Sequence, residues 1–291
     1  MLGVIATLLA TYSLTSYILL RQPTILHRKK RFPFKASHIS HRGGSGEKIE
    51  NTLEAFSSSF LVGTHMFETD CHLTKDNQVV VFHDNELYRC TGVSGLVKEF
   101  SYEDLPRYLK VIEVQFTPGS FCNDESSPSC KIARLEDLFD KFPNTPVNID
   151  IKVHNDFLIN EVARLIETHS RERITVWGSM NSKVSKKCKL RNKNILTFAP
   201  FSYVIWSNEF ARQRRWDRFL PNVALLFSEY LLSSPLFIKH LRKRGIPRFD
   251  KEKTVGKSFV MILDLNVIDF RFRPLTVEFT LWCNILFQVF T

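Results

Sequence analysis

Cysteine is sparse, at six in 291 residues, which is too few for a disulfide scaffold. Glycine (11) and proline (12) are scattered without a repeat, so collagen-like and low-complexity classes are excluded. No internal period of solenoid length is present. The chain has ample apolar substance instead. It is 44% hydrophobic and 12% aromatic, enough to bury a sizeable core and too much for a wholly disordered chain. The length suits one large α/β domain or two ordinary ones. Lys and Arg number 40 against 30 acidic residues, for a net charge of +10. Such a charge favours anionic partners, whether nucleic acid, phospholipid or phosphorylated metabolite, and says nothing about fold. Interleaved aromatic and base-reading motifs are missing, so no nucleic-acid partner is expected.

Charge is also missing from residues 1–20. A helix of that length spans roughly 30 Å, about the hydrocarbon thickness of a bilayer. Arg21, Arg28, Lys29, Lys30, Arg31 and Lys35 follow with no acidic residue among them. The positive-inside rule places that flank in the cytosol. The expectation is one transmembrane helix over 1–20 and a basic juxtamembrane linker over 21–35. Thr7, Thr11, Ser13, Thr15 and Ser16 weaken the span. A cleaved signal peptide is the rival, but a basic n-region and a small-residue cleavage site are absent.

From Ala36 onward, short apolar runs alternate with helical patterns. Strands are expected at 36–40, 65–70, 78–83, 147–153, 174–179 and 195–200, and helices at 51–62, 133–143, 156–169 and 236–244. A basic helical piece with Lys183, Lys186, Lys187, Lys189, Arg191 and Lys193 reads as a solvated face. The stretch from about Thr91 to Cys130 reads as a loop-rich insertion. Strand–helix alternation with apolar strands predicts a parallel sheet with helices outside, either a (β/α)8 barrel or a doubly wound sheet. The barrel domain is expected over 36–245, and an atypical tail over 246–291.

Ionisable residues recur at the ends of these strands. The first ends in His41-Arg42-Gly43-Gly44. The second carries Glu68 and Asp70, two apart and so on one side. The third ends in His83-Asp84, and VNIDIK adds Asp150 and Lys152. Two carboxylates projecting together need neutralising, which an oxygen-preferring divalent cation can do. Each feature has a bland alternative: a capping His, a solvent-facing Glu-x-Asp pair, an Asp–Lys ion pair. Their joint recurrence at strand ends favours a site, because a barrel gathers strand ends on its C-terminal rim.

The segments HRGGSGEKIENTLEAF, FETDCHLTKDNQVVVFHD and VNIDIK resemble the glycerophosphodiester phosphodiesterase family, and within it the membrane-anchored lysophospholipase D type. The resemblance implies a TIM-type (β/α)8 barrel holding one divalent cation, Mg²⁺ or Ca²⁺. It implies that Glu68, Asp70 and Asp150 are metal ligands and that His41 and His83 form the catalytic acid–base pair. It further implies that Arg42 and Lys152 contact the substrate phosphate and that Glu50 supports the site. The substrate is then phospholipid-derived, taken from a membrane. Such a protein is expected in the endoplasmic reticulum and perinuclear membrane, with its catalytic domain cytosolic. The likeness stops after Gly245. The run Phe259–Phe270 is expected as a substitute for the last barrel strand. Loss of that strand would leave an altered barrel, whose alternative function is a catalytically impaired, membrane-bound lipid or phosphate binder.

Overall fold

The computed structural model describes residues 2–25, 33, 34, 36, 38–115, 119–123, 130–198, 224–226, 243, 248–255 and 258–263. The basic flank at 28–31 and 35, most of the helix expected at 236–244 and the tail from 264 lie outside the described residues.

The chain begins with α1 (Leu2–Arg21), a 20-residue helix over the expected segment. Among the described residues, however, no helix is long and apolar enough to cross a membrane. Hydroxyl and aromatic side chains at Thr7, Thr11, Tyr12, Ser13, Thr15 and Tyr17 dilute its apolar character. The expected span thus stands on the sequence alone.

Then come β1 (His38–Ser40), α2 (Leu53–Leu61), β2 (Met66–Leu73), β3 (Val79–Val81) and the short α3 (Tyr88–Thr91). A hairpin of β4 (Val111–Glu113) and β5 (Phe121–Asn123) stands within the stretch read as loop. The chain continues with α4 (Leu135–Lys141), β6 (Val147–Ile151), α5 (Asp156–Thr168), β7 (Thr175–Gly178), α6 (Ser182–Arg191) and β8 (Leu196–Thr197). The last described elements are β9 (Ala224–Leu226), β10 (Arg248–Val255) and β11 (Ser258–Leu263).

Strands β1, β2, β6, β7 and β8 lie side by side and parallel. Every residue of β2 and β6 is buried, as expected for strands covered on both faces. On one face Phe67, Cys71, Val147, Ile149, Ile151 and Trp177 pack with Phe56 of α2, Leu138 of α4, Val162 of α5 and Val184 of α6 in a single apolar cluster. The opposite face presents Glu68 and Asp70 in register with Asn148 and Asp150. The helices start where small polar residues offer caps: Thr52 Oγ1 accepts from the Ala55 N–H, and Asn155 Oδ1 from those of Phe157 and Leu158.

Two expectations are corrected. The run at 78–83 is no barrel strand, because β3 folds back antiparallel on β2, pairing Cys71 with Val81. The polar turn at 74–77 reverses the chain, and the return delivers His83 to the level of Asp70, whose carbonyl accepts from the Phe82 N–H at 3.0 Å. At the other side, β1 is covered by β11, which pairs with it antiparallel, Ile39 against Met261. A (β/α)8 barrel would place a parallel strand there. The substitute strand thus occupies Ser258–Leu263, pairs with β10, and through it joins β9.

Candidate functional site

The site is built on the turn after β1. His41–Gly43 form a kinked turn, non-helical at Arg42, which takes φ +49, a left-handed value that a residue with a side chain rarely adopts. Gly43 and Gly44 follow at φ +75 and +99. A Cβ on Gly43 would lie 2.9 Å from the Phe56 ring, and one on Gly44 2.5 Å from Ser59 Oγ. Glycine therefore lets the turn sit directly against α2, where Ser59 Oγ donates to the Gly43 carbonyl at 2.6 Å.

That turn aims its groups at the strand carboxylates. The Arg42 N–H donates to Glu68 Oε2 at 2.9 Å, and His41 Nε2 lies 3.8 Å from the same oxygen. The Arg42 guanidinium donates to Glu50 Oε1 at 3.1 Å and lies 3.8 Å from Asp70 Oδ2. Lys152 Nζ sits 2.8 Å from both Asp70 Oδ1 and Asp150 Oδ2. On the returning arm, His83 Nδ1 lies 2.6 Å from Asp84 Oδ1. Arg89 bridges Asp84 to Glu50, so the residues singled out by the sequence form one linked cluster.

Burial and charge shape this cluster. Glu68 is pushed up to about 8, first by burial and then by Asp70 beside it. Burial acts on Asp70 in the same direction, but Lys152, His83 and Arg42 outweigh it and hold that carboxyl below the ordinary range. The pair shares one negative charge more comfortably than two. Burial opposes the charge on Lys152, yet Asp150 and Asp70 outweigh it and keep its ammonium above the usual lysine value. Burial likewise opposes ionisation of Glu50, and Arg42 and Arg89 reverse that.

The expected ligands are not drawn together around one point. Glu68, Asp70 and Asp150 are sheet neighbours, but among the described residues no group of three or more His, Cys, Asp or Glu is gathered closely enough to hold a metal ion. Each carboxylate engages a cation or N–H of the chain itself. The donor chemistry nevertheless fits a hard cation. All the donors are oxygens, Asp150 Oδ1 is buried without a hydrogen-bond partner among the described residues, and the burial of Glu68 is only partly offset by Arg42 and Lys152.

Two further residues belong to the cluster, to which the sequence assigned no role. Asn51, at φ +58, donates from Nδ2 to Asp70 Oδ2 at 3.1 Å and accepts from Thr69 Oγ1 at 3.0 Å. Its signal was its place in the Glu50-Asn51-Thr52 motif, which names no role for it. Arg89 joins Glu50 to Asp84, and no strand-end pattern marks it.

Residues 41–247 match the model of the glycerophosphoryl diester phosphodiesterase family. Human lysophospholipase D GDPD1 is 46% identical over 187 residues, covering 64% of this chain and 59% of that protein. The chain thus matches somewhat over half the length of that relative. Human lysophospholipase D GDPD3 is 36% identical over 264 residues, covering 82% of each. Among solved structures, a glycerophosphodiester phosphodiesterase from Agrobacterium tumefaciens superposes with a TM-score of 0.56 at 18% identity, over 74% of this chain and 85% of that one. One from Thermotoga maritima superposes at 0.51 and 21%, over 77% and 86%. These last likenesses speak to the fold, a TIM-barrel-like α/β architecture around a parallel sheet. With the matched span covering both histidines, the glycine turn and the strand-end acids, the chain belongs to the glycerophosphoryl diester phosphodiesterase family.

Proposed function

We propose that the chain is a phosphoric diester hydrolase of the lysophospholipase D type. Its substrates are lysophospholipids, glycerophosphodiesters or both. A lysophospholipid would yield lysophosphatidic acid and the head-group alcohol. The observation that supports this most is the convergence of His41, Arg42 and His83 with the acids of β2 and β6 on one rim.

Arg42 and Lys152 receive the negatively charged phosphodiester, and Glu50 keeps the Arg42 fork oriented. One imidazole takes a proton from the nucleophile and the other gives one to the leaving alcohol. The nucleophile is water or a substrate hydroxyl beside the phosphate. In the second case the P–O bond to the head group breaks as a cyclic phosphate forms, and water opens the ring afterwards. A single Mg²⁺ or Ca²⁺ held by Glu68, Asp70 and Asp150 would supply charge stabilisation for the phosphoryl group.

Membrane attachment through the N-terminal segment accompanies this reading, single-pass in the endoplasmic reticulum and perinuclear membrane with the catalytic residues cytosolic. The uncharged run over 1–20 and the basic residues after it support it. Alkaline carbonate should fail to extract the full chain from membranes, and its release into the supernatant would remove the attachment.

The activity is tested with purified full chain, Mg²⁺ or Ca²⁺, and lysophosphatidylcholine or glycerophosphocholine. Choline release that stops on chelation is expected. No release, where a relative assayed alongside is active, would remove the enzyme. A second reading, a binder with impaired turnover, draws on β11 running antiparallel beside the strand that leads to His41. Saturable binding of lysophospholipid without choline release would favour it.

A further inference from the structure

We propose that Arg89 is a positioning residue for His83: it locks Asp84 so that Asp84 holds the Nδ1–H of the imidazole, and through Glu50 it ties that arm of the site to Arg42. The inference rests on the hydrolase reading above for its meaning in catalysis, and on the geometry for the positioning itself.

The geometry is a continuous chain of charged contacts. His83 Nδ1 lies 2.6 Å from Asp84 Oδ1. The other oxygen of Asp84 accepts from Arg89 Nε in a short hydrogen bond. The terminal nitrogens of Arg89 turn to Glu50, with Nη2 2.6 Å from Oε1 and Nη1 3.3 Å from Oε2. Glu50 Oε1 also accepts from Arg42 at 3.1 Å. Arg89 thus spans two carboxylates with a planar fork, a geometry that lysine cannot copy.

Each link restricts the next. Against an ionised Asp84, the Nδ1 of His83 carries the ring hydrogen, which leaves Nε2 as the basic nitrogen. The backbone of His83 is held separately, since its carbonyl lies 3.2 Å from His72 Nε2. Only the ring is left to be oriented, and Asp84 does that. Asp84 is itself partly exposed, at 19% of its side chain. Without Arg89 its carboxylate can swing toward water and take Oδ1 off the imidazole. Arg89 starts from a fixed base, because α3 ends at Gly92 (φ +73) and the Cys90 carbonyl accepts from the Leu109 N–H at 2.8 Å. Its hydrogen-bond partners are side chains of the site rather than backbone carbonyls, which is what separates a positioning role from a scaffolding one.

The test uses the full chain and its Arg89→Ala, Arg89→Lys and Asp84→Asn variants, with soluble glycerophosphocholine as substrate. Three quantities are read per folded molecule: kcat, KM, and the downfield proton resonance of the His83 Nδ1–H. Arg89→Ala should lower kcat about 10- to 100-fold, as loss of an orienting partner does, with KM nearly unchanged. The resonance should shift or vanish, as in Asp84→Asn. Arg89→Lys should recover little of either, since it restores charge and not the fork. Unchanged kcat and an unmoved resonance in Arg89→Ala would overturn the proposal, as would full recovery in Arg89→Lys. If the parent chain itself turns over no diester, the hydrolase reading fails, and the resonance alone decides: its loss in Arg89→Ala upholds the positioning of His83, and its persistence overturns it.

Discussion

Arg42 and Arg171 are both buried, at 5% and 0% exposure, in opposite electrical settings. Arg171 has carbonyls for company. Its guanidinium donates to the Phe142 and Pro143 carbonyls at 2.9 and 2.6 Å and to that of Thr145, and stacks over the Phe139 ring at 4.5 Å. Burial pulls it down to about 10. Arg42 suffers the same burial, but Glu50, Asp70 and Glu68 more than offset it and hold it above the ordinary arginine value. One cation closes the loop that leads into β6. The other is held among the acids Glu50, Asp70 and Glu68 on the turn after β1. Burial of a charge alone does not mark a site; the company it keeps does.

The difference can be pressed hardest at the imidazoles. His41→Ala and His83→Ala should each lower kcat about 10²- to 10⁴-fold with little change in melting temperature. Calorimetry beside the choline assay checks this, and a variant that unfolds would move that residue to the scaffolding side. Arg171→Met should do the reverse. It strands the carbonyls of Phe142, Pro143 and Thr145, at about 3 kcal/mol or more of stability read from a urea midpoint, while turnover per folded molecule stays near wild type.

The contrast extends to pH. Burial lowers His72 to about 4 from an ordinary 6.5. The unfolded chain therefore takes up a proton that the folded chain refuses between those values. Stability from this group is complete above pH 6.5 and is lost as pH falls toward 4, by about 3 kcal/mol. His72→Phe should flatten that part of the stability–pH curve. Asn51→Gly is the mildest probe. It keeps the positive φ and removes the hydrogen bonds with Asp70 and Thr69, so roughly 1–2 kcal/mol of stability and a modest part of the turnover should go.

Much of this was legible in the sequence. β1, β2, β6 and β7 were readable as short apolar runs, and in β2 and β6 the polar Glu68, Asp70, Asn148 and Asp150 alternate with mostly apolar neighbours, as a strand with one helix-covered face and one polar face must read. The direction of β3 was not, because Val79-Val80-Val81 carries no sign of orientation. The β4–β5 hairpin hid in a stretch without strong alternation. β11 was anticipated as a strand, whereas its antiparallel pairing with β1 belongs to tertiary structure. Asn51 and Arg89 escaped because they act through partners distant in sequence, 19 residues for Asn51 to Asp70 and 39 for Arg89 to Glu50.

The most direct test of the account is the rate of choline release from glycerophosphocholine by the parent chain and by Arg42→Lys, compared at equal folded concentration with divalent cation present. The account predicts turnover by the parent and a fall of about 100-fold or more in Arg42→Lys, since an ammonium cannot reproduce the fork that engages Glu50 and the phosphate. An inert parent, or an undiminished variant, would contradict it.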